Sequence, residues 1–229
     1  MEHKQDPVPD GPRTLASAEV REARSGRLHV PHMQPLSALV EAIRSETGRG
    51  IQVPHFDPSD GGIAARCLFL LEAPGPKAVR SGFVSRNNPD ETAKNFFELS
   101  HAAGIMREHT VLWNIVPWYI GSGAKIRSAA RADIKAAHPY LTRLLAALPR
   151  LEVVVLVGRK AELAEAEVLR CMQFLKVVTM PHPSPLFVNR LPGNRARLLR
   201  ALQEIAQLLV SAENERLSVD GEAFPHAEV

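Results

Sequence analysis

Four short apolar runs, at residues 67–71, 110–116, 151–157 and 174–180, constrain this chain more than any other feature. None alternates polar with apolar residues, so each reads as a strand buried on both faces of a sheet. Stretches with helical character lie between them. Asn88-Pro89-Asp90-Glu91 reads as a helix start, with Asn88 as the cap, Pro89 at the first helical position and Glu91 three residues after the cap. The helix that follows should bury Phe96 and Phe97 and stop at Gly104. Residues 127–148 favour helix but contain Pro139, which predicts a fresh helix start there because an interior proline costs about 3 kcal/mol. Residues 160–171 and 194–210 complete the pattern, the latter with Leu198, Leu199, Leu202, Ile205, Ala206 and Leu209 on a helical stripe. Strand and helix in alternation predict an α/β fold of three α/β/α layers around a central four-stranded parallel sheet.

A chain of 229 residues that is 45% hydrophobic can bury one substantial core. Residues 1–34 carry Pro7, Pro9 and Pro12 among many charges and are expected to be disordered. Residues 35–211 should form a single domain, entered by a helix through Leu36, Leu39, Val40 and Ile43 that Gly48 stops, then a loop over 54–62. Residues 212–229 are read as a flexible acidic tail, with Glu213, Glu215, Asp220, Glu222 and Glu228 against Arg216. No apolar run approaches the roughly 20 residues of a membrane span, and the polar amino terminus carries no export signal, so a cytoplasmic protein without a membrane partner is expected. Cys67 and Cys171 lack a second cysteine nearby and read as buried thiols, with no disulfide, metal or cofactor expected. The net charge of +3 is too small to announce a nucleic-acid partner. Its distribution says more: Lys125, Arg127, Arg131, Lys135 and Arg143 stand against Asp133 alone.

In parallel sheets covered by helices, ligands bind beyond the carboxyl ends of the strands. That rule gathers Glu72-Ala73-Pro74-Gly75, residues 114–118, Gly158-Arg159-Lys160 and Pro181-His182-Pro183-Ser184 into one cleft. The chain has no Walker loop, GxGxxG, HExxH or GxSxG, which weighs against nucleotide hydrolysis, dinucleotide redox chemistry, zinc proteolysis and serine hydrolysis. The cleft offers Glu72, Asn114 and His182 instead. A carboxylate, an amide and an imidazole suit recognition of a polar heterocycle and stabilisation of charge developing on it.

Leu71-Glu72-Ala73-Pro74-Gly75 resembles the first motif of the uracil-DNA glycosylase superfamily, in the GEAPG form of its iron-sulphur families. Met180-Pro181-His182-Pro183-Ser184-Pro185-Leu186 resembles the second motif, HPSPL. Trp113-Asn114-Ile115-Val116 resembles the strand end that presents the uracil-reading asparagine, and Gly82-Phe83-Val84 the segment that supplies a stacking aromatic. These stand in the family order from Cys67 to about Arg200.

The resemblance implies a DNA-repair glycosylase that flips uracil or a related deaminated base from DNA and hydrolyses its N-glycosidic bond, leaving an abasic site. Asn114 would read the Watson-Crick edge of the base, and His182 would donate to its O2 as the bond breaks. Phe83 would floor the pocket, with Ala73, Pro74 and Gly75 against the substrate. Where efficient relatives carry an aspartate this chain has Ala73, and where the iron-sulphur families carry an acid six positions after the motif glutamate it has Ala78. General-base help would therefore come from Glu72 or be absent. Two cysteines cannot ligate a four-cysteine cluster, so no iron-sulphur centre is expected. Ser184, with amides near Gly75 and Gly158, would hold phosphates, Leu186 or Phe187 would wedge into the vacated stack, and Arg190, Arg195, Arg197, Lys125 and Arg127 would line the DNA path. The competing readings are a protein of the same fold that binds lesions or abasic DNA without cutting, and an enzyme acting on free nucleosides.

Overall fold

In the computed structural model, residues 9–122 and 125–221 are described, those after 212 by backbone alone. Helix α1 (Ala18–Ser25) opens on Ser17, whose side chain accepts from the Val20 amide, and α2 (Gln34–Thr47) buries Leu36, Leu39, Val40 and Ile43. Strand β1 (Cys67–Leu71) leads to α3 (Pro76–Ser81) and α4 (Glu91–Ala102), then to β2 (Thr110–Asn114). Helix α5 (Arg131–Ala146), β3 (Val153–Val157), α6 (Glu165–Cys171), β4 (Lys176–Met180), α7 (Pro185–Val188) and α8 (Asn194–Gly221) complete the order.

The four strands form one sheet in the order β2-β1-β3-β4, every pair parallel. Residues of β1, β2 and β3 are almost wholly buried, which is why they read as continuous apolar runs. Helices α4, α7 and α8 pack with one another, and α5 packs against both α2 and α6, giving the two layers that flank the sheet. Register pairs Leu71 with Asn114, and Val157 with Met180. The amides of Ile115 and Val116 donate to Leu71 and Glu72 at 2.8 and 3.0 Å, so the first two strand ends stay locked beyond the ladder. Among the described residues no helix is long and apolar enough to cross a membrane.

Four local expectations are corrected. Residues 9–34, expected to be disordered, instead pack on the body: Leu15 and Met33 are core residues, and Arg24 is fully buried against Asp57. The apolar content of this segment is low, but its ion pairs reach partners dozens of residues away, which local composition cannot reveal. Residues 1–8 lie outside the described part. Helix α5 runs unbroken through Pro139. Pro139 and Lys135 both lie on the exposed side, where water can reach the carbonyl that proline leaves unpaired, while Ile134, Ala137, Tyr140, Leu141, Leu144 and Leu145 anchor the buried side. The cap of α4 is Asp90, whose carboxylate accepts from the Ala93 amide at 2.9 Å; Asn88 is buried and donates to the Phe83 carbonyl. Finally, the tail expected from 212 onward continues α8 as far as Gly221.

Candidate active site

A cavity of about 520 Å³ opens at the carboxyl ends of the strands. Glu72, Ala73, Pro74 and Gly75 follow β1 into its wall, Asn114 ends β2 against it, and His182 enters from the turn after β4. The three chemical groups predicted from sequence therefore face one space.

Asn114 is 4% exposed, and its Nδ2 is buried without a hydrogen-bond partner. An orphaned amide donor inside a folded protein costs about 1–3 kcal/mol. His182 is half-buried, and desolvation lowers its pKa below the ordinary imidazole value, opposed by the nearby carboxylates of Glu72 and Asp90. The ring is thus neutral at pH 7. Its approach depends on Gly158, which has φ +84; a Cβ there would sit 3.0 Å from the His182 Cβ. The Gly158 amide donates to the Met180 carbonyl at 2.8 Å, so that particular N–H is committed to the turn and not to a phosphate. On the other side Asn95 of α4 donates to the Pro183 carbonyl at 3.0 Å and fixes the histidine turn.

Glu72 is also in the wall, but one carboxylate oxygen already accepts from Ser128 Oγ at 2.8 Å and from the Ala129 amide at 2.6 Å. Lys160 adds a bond from its ammonium to the Ala129 carbonyl at 2.9 Å. Together they pin residues 126–128 over the cavity, where Ile126, Arg127 and Ser128 form one side.

Phe83 does not line the cavity. It is 1% exposed and belongs to a two-residue strand, Phe83–Val84, parallel to His55–Phe56, with its ring 6.5 Å from that of His55. Successive side chains of an extended segment point to opposite sides, and here Val84 takes the cavity side. The aromatic in the wall is Phe96 of α4, edge-on to Phe69 at 4.9 Å, with the Arg86 guanidinium 5.5 Å from its centroid.

Of the side chains assigned to DNA contact only Arg127 is in the cavity wall, and they differ in how free they are. Ser184 caps α7 by accepting from the Phe187 amide, and Leu186 on that helix is 81% exposed, whereas Phe187 packs back against the core. Arg190, Arg197 and Lys125 are exposed. Arg127 is engaged with Asp133 at 2.6 Å, Arg143 with Glu46 at 2.7 Å and Arg195 with Glu98 at 2.9 Å, so part of the basic stretch is answered by local carboxylates. Cys67 is buried in β1 and Cys171 ends α6, and neither lines the cavity. Among the described residues no group of histidine, cysteine and acidic side chains is arranged to hold a metal ion.

Asp90 is the wall residue that sequence reasoning missed as part of the site. Read along the chain it is a helix-start residue; only the packing of α4 against the turn after β4 brings it to His182.

The parallel sheet thus presents a buried unpaired amide and an imidazole of lowered pKa to one cavity at its strand tips. Residues 58–206 match the family model of the uracil DNA glycosylase superfamily, and the chain belongs to that superfamily. No curated protein sequence is similar enough to count as a match. Among solved structures, Pedobacter heparinus SMUG2 is similar in fold, with a TM-score of 0.51 and 14% identity over 79% of this chain and 86% of that one. A candidate uracil DNA glycosylase from Methanosarcina acetivorans aligns with a TM-score of 0.43 and 18% identity, over 62% of this chain and 92% of that one.

Proposed function

We propose that the chain is a monofunctional DNA glycosylase that extrudes uracil or a related deaminated base and hydrolyses its N-glycosidic bond. The observation that carries this reading is Asn114. Its buried Nδ2 has no partner in the protein, and it shares a cavity with His182. An amide presents a donor and an acceptor side by side, which matches the edge of a base taken out of its stack.

His182, neutral at pH 7, donates to the base oxygen on which charge accumulates as the bond to the sugar breaks. One oriented donor of this kind contributes about 3–4 kcal/mol in the transition state. Phe96 and the small residues Ala73 and Gly75 supply the flat walls against which a planar ring rests. Leu186, an apolar side chain that is 81% exposed, wedges into the gap left by the flipped nucleotide, while Ser184, Arg190, Lys125 and Arg127 meet the flanking phosphates. Superfamily membership supports the class of reaction; the identity of the base is the finer part of the proposal.

Incubation with oligonucleotides carrying uracil, hypoxanthine or xanthine, followed by alkaline cleavage, tests it. Strand scission at uracil that Asn114→Ala slows by about 100- to 1,000-fold is the expected result. No scission of any substrate at stoichiometric protein sinks the catalytic reading. Ala73 and Ala78, two methyl groups in the cavity wall, favour the alternative of a protein that binds abasic DNA without cutting; tight binding with no scission would then be seen.

A further inference from the structure

Hydrolysis needs a group that takes a proton from water, and most of the cavity wall offers none. Ala73 and Ala78 present methyl groups, and Glu72 is tied to Ser128 and Ala129, where it pins the segment over the cavity. Lys77, Arg86 and Arg127, the other charged groups of the wall, are cations.

Asp90 is different in place and in constraint. It lies in the same wall as Asn114 and His182, half-buried, at the first turn of α4. Its backbone is extended, with φ −139 and ψ 163, and its carboxylate accepts from the Ala93 amide at 2.9 Å, so its position is fixed before any substrate arrives. The same helix, one turn on, carries Asn95, whose bond to the Pro183 carbonyl fixes the turn that bears His182. One rigid element thus sets both the carboxylate and the imidazole.

We infer that Asp90 is the carboxylate that orients the attacking water and accepts its proton, the role that neither Ala73 nor Ala78 can fill. The inference rests on the glycosylase reading above. In the step it describes, the bond between C1′ and the base nitrogen breaks with both electrons leaving on the base, whose anion His182 stabilises by hydrogen bonding. The water oxygen bonds to C1′, and the proton it sheds passes to Asp90 and then to solvent. The departing base takes up a proton from solvent, and the products are free base and an abasic sugar.

The groups facing Asp90 agree with such a role. Burial raises its pKa above the ordinary value, against the amides of Ala93 and Thr92 and the charge of Lys77, with His182 opposing the rise only when its ring is protonated. Glu72 from the end of β1 and Arg86 from the segment after Val84 complete the charged surroundings. A base whose pKa sits closer to neutrality is the more effective proton acceptor, provided it is ionised at the working pH.

Asp90→Asn tests the inference cleanly, because asparagine caps a helix as well as aspartate does and the fold is preserved. Single-turnover excision of uracil should slow by about 100- to 10,000-fold, the range of general acid-base assistance. Affinity for abasic DNA should stay the same, and the acid limb of the rate profile, where the wild type loses activity as Asp90 is protonated, should flatten. The His182 ring, followed by NMR, should titrate at lower pH in the variant because a neighbouring negative charge is gone. An active wild type with an Asp90→Asn variant that keeps its rate within threefold and its acid limb overturns this inference alone. So does loss of the acid limb in Glu72→Gln instead. A wild type that excises no base from any substrate overturns the glycosylase reading and this inference with it.

Discussion

The two ends of the sheet differ in how their buried charges are paired. At the amino end, around the start of β2, Arg24 and Asp57 are paired and fully buried. Arg107 joins them with 2.7 Å to Asp57 and 2.8 Å to Asp60, Ser85 donates to Asp57, and Arg107 also reaches Asp10 and the Asn87 side chain. Burial alone would raise the Asp57 carboxyl, but Arg107, Arg24 and the Ser85 hydroxyl hold it below its ordinary range. At the carboxyl end Asn114 keeps an unpaired donor, His182 stays neutral, and Asp90 is pushed towards protonation. The amino end pairs its charged groups with one another, though Arg24 Nε and Asp60 Oδ2 keep no partner, and ties the amino-terminal segment to the body. The other sets an amide, an imidazole and a carboxylate in one cavity wall with no ion pair among them.

The sharpest way to break this contrast is to remove one partner at the amino end. Arg24→Met should cost about 3–5 kcal/mol, because Asp57 is left as a buried, partly uncompensated charge. Urea denaturation measures it; a loss under about 1 kcal/mol would mean Arg107 alone satisfies Asp57. At the carboxyl end the sign should reverse for stability. Asn114→Ala removes a buried donor that nothing satisfies, so the urea midpoint should hold or rise, while excision of uracil falls about 100- to 1,000-fold, as for loss of an oriented donor. A variant that is both destabilised and fully active would show that Asn114 belongs to the fold and not to the site.

The distinction between the two ends was only half legible in the sequence. Three strands could be read because burial on both faces removes polar alternation, whereas β4, expected to be buried too, exposes Lys176 and Thr179; the strand tips followed from the parallel arrangement, so Glu72, Asn114 and His182 met in one cavity as expected. What escaped reading depends on phase or on distance. Phe83 and Val84 are adjacent, and which of them faces the cavity is decided by a two-residue strand pairing with His55–Phe56 that has no periodicity of its own. Asp90 carries a strong local meaning as a helix-start residue, which hides its second meaning as a wall of the site. Arg24 sits in a proline-rich, charged segment, and its burial depends on Asp57, 33 residues away. Pro139 breaks a helix on propensity alone, yet six buried side chains on the other face hold α5 together.

Gly158 sharpens the comparison with a smaller effect. Its φ of +84 is a conformation that costs a residue with a Cβ about 1–2 kcal/mol, and the added carbon would meet the His182 Cβ at 3.0 Å. Gly158→Ala should therefore lower stability by about that amount. It should also slow excision, because the imidazole must move, while leaving affinity for undamaged DNA unchanged. A variant with wild-type rate would separate the position of His182 from catalysis.

The smallest expected effect is a pH dependence that belongs to neither end. His55 is largely buried beside Arg44, whose Nη1 lies 2.9 Å from its Nε2, and desolvation followed by the Arg44 charge lowers its pKa to about 4. Nε2 must then accept from the guanidinium, which puts the ring proton on Nδ1, a buried atom without a partner. An unfolded His55 titrates near 6.5, so between about pH 6.5 and 4 the unfolded chain binds more protons than the folded one and stability falls as pH falls. Solvent reaches one side of the ring, which limits the loss to roughly 1–2 kcal/mol. His182 is shifted in the same direction and adds a slope of the same sign. In His55→Leu the urea midpoint should therefore change less between pH 7 and pH 4.5 than in the wild type, without becoming flat. Equal changes in both proteins would mean that the Arg44 contact does not hold the ring neutral, and that the acid sensitivity of the fold comes from elsewhere, such as His182 at the carboxyl end.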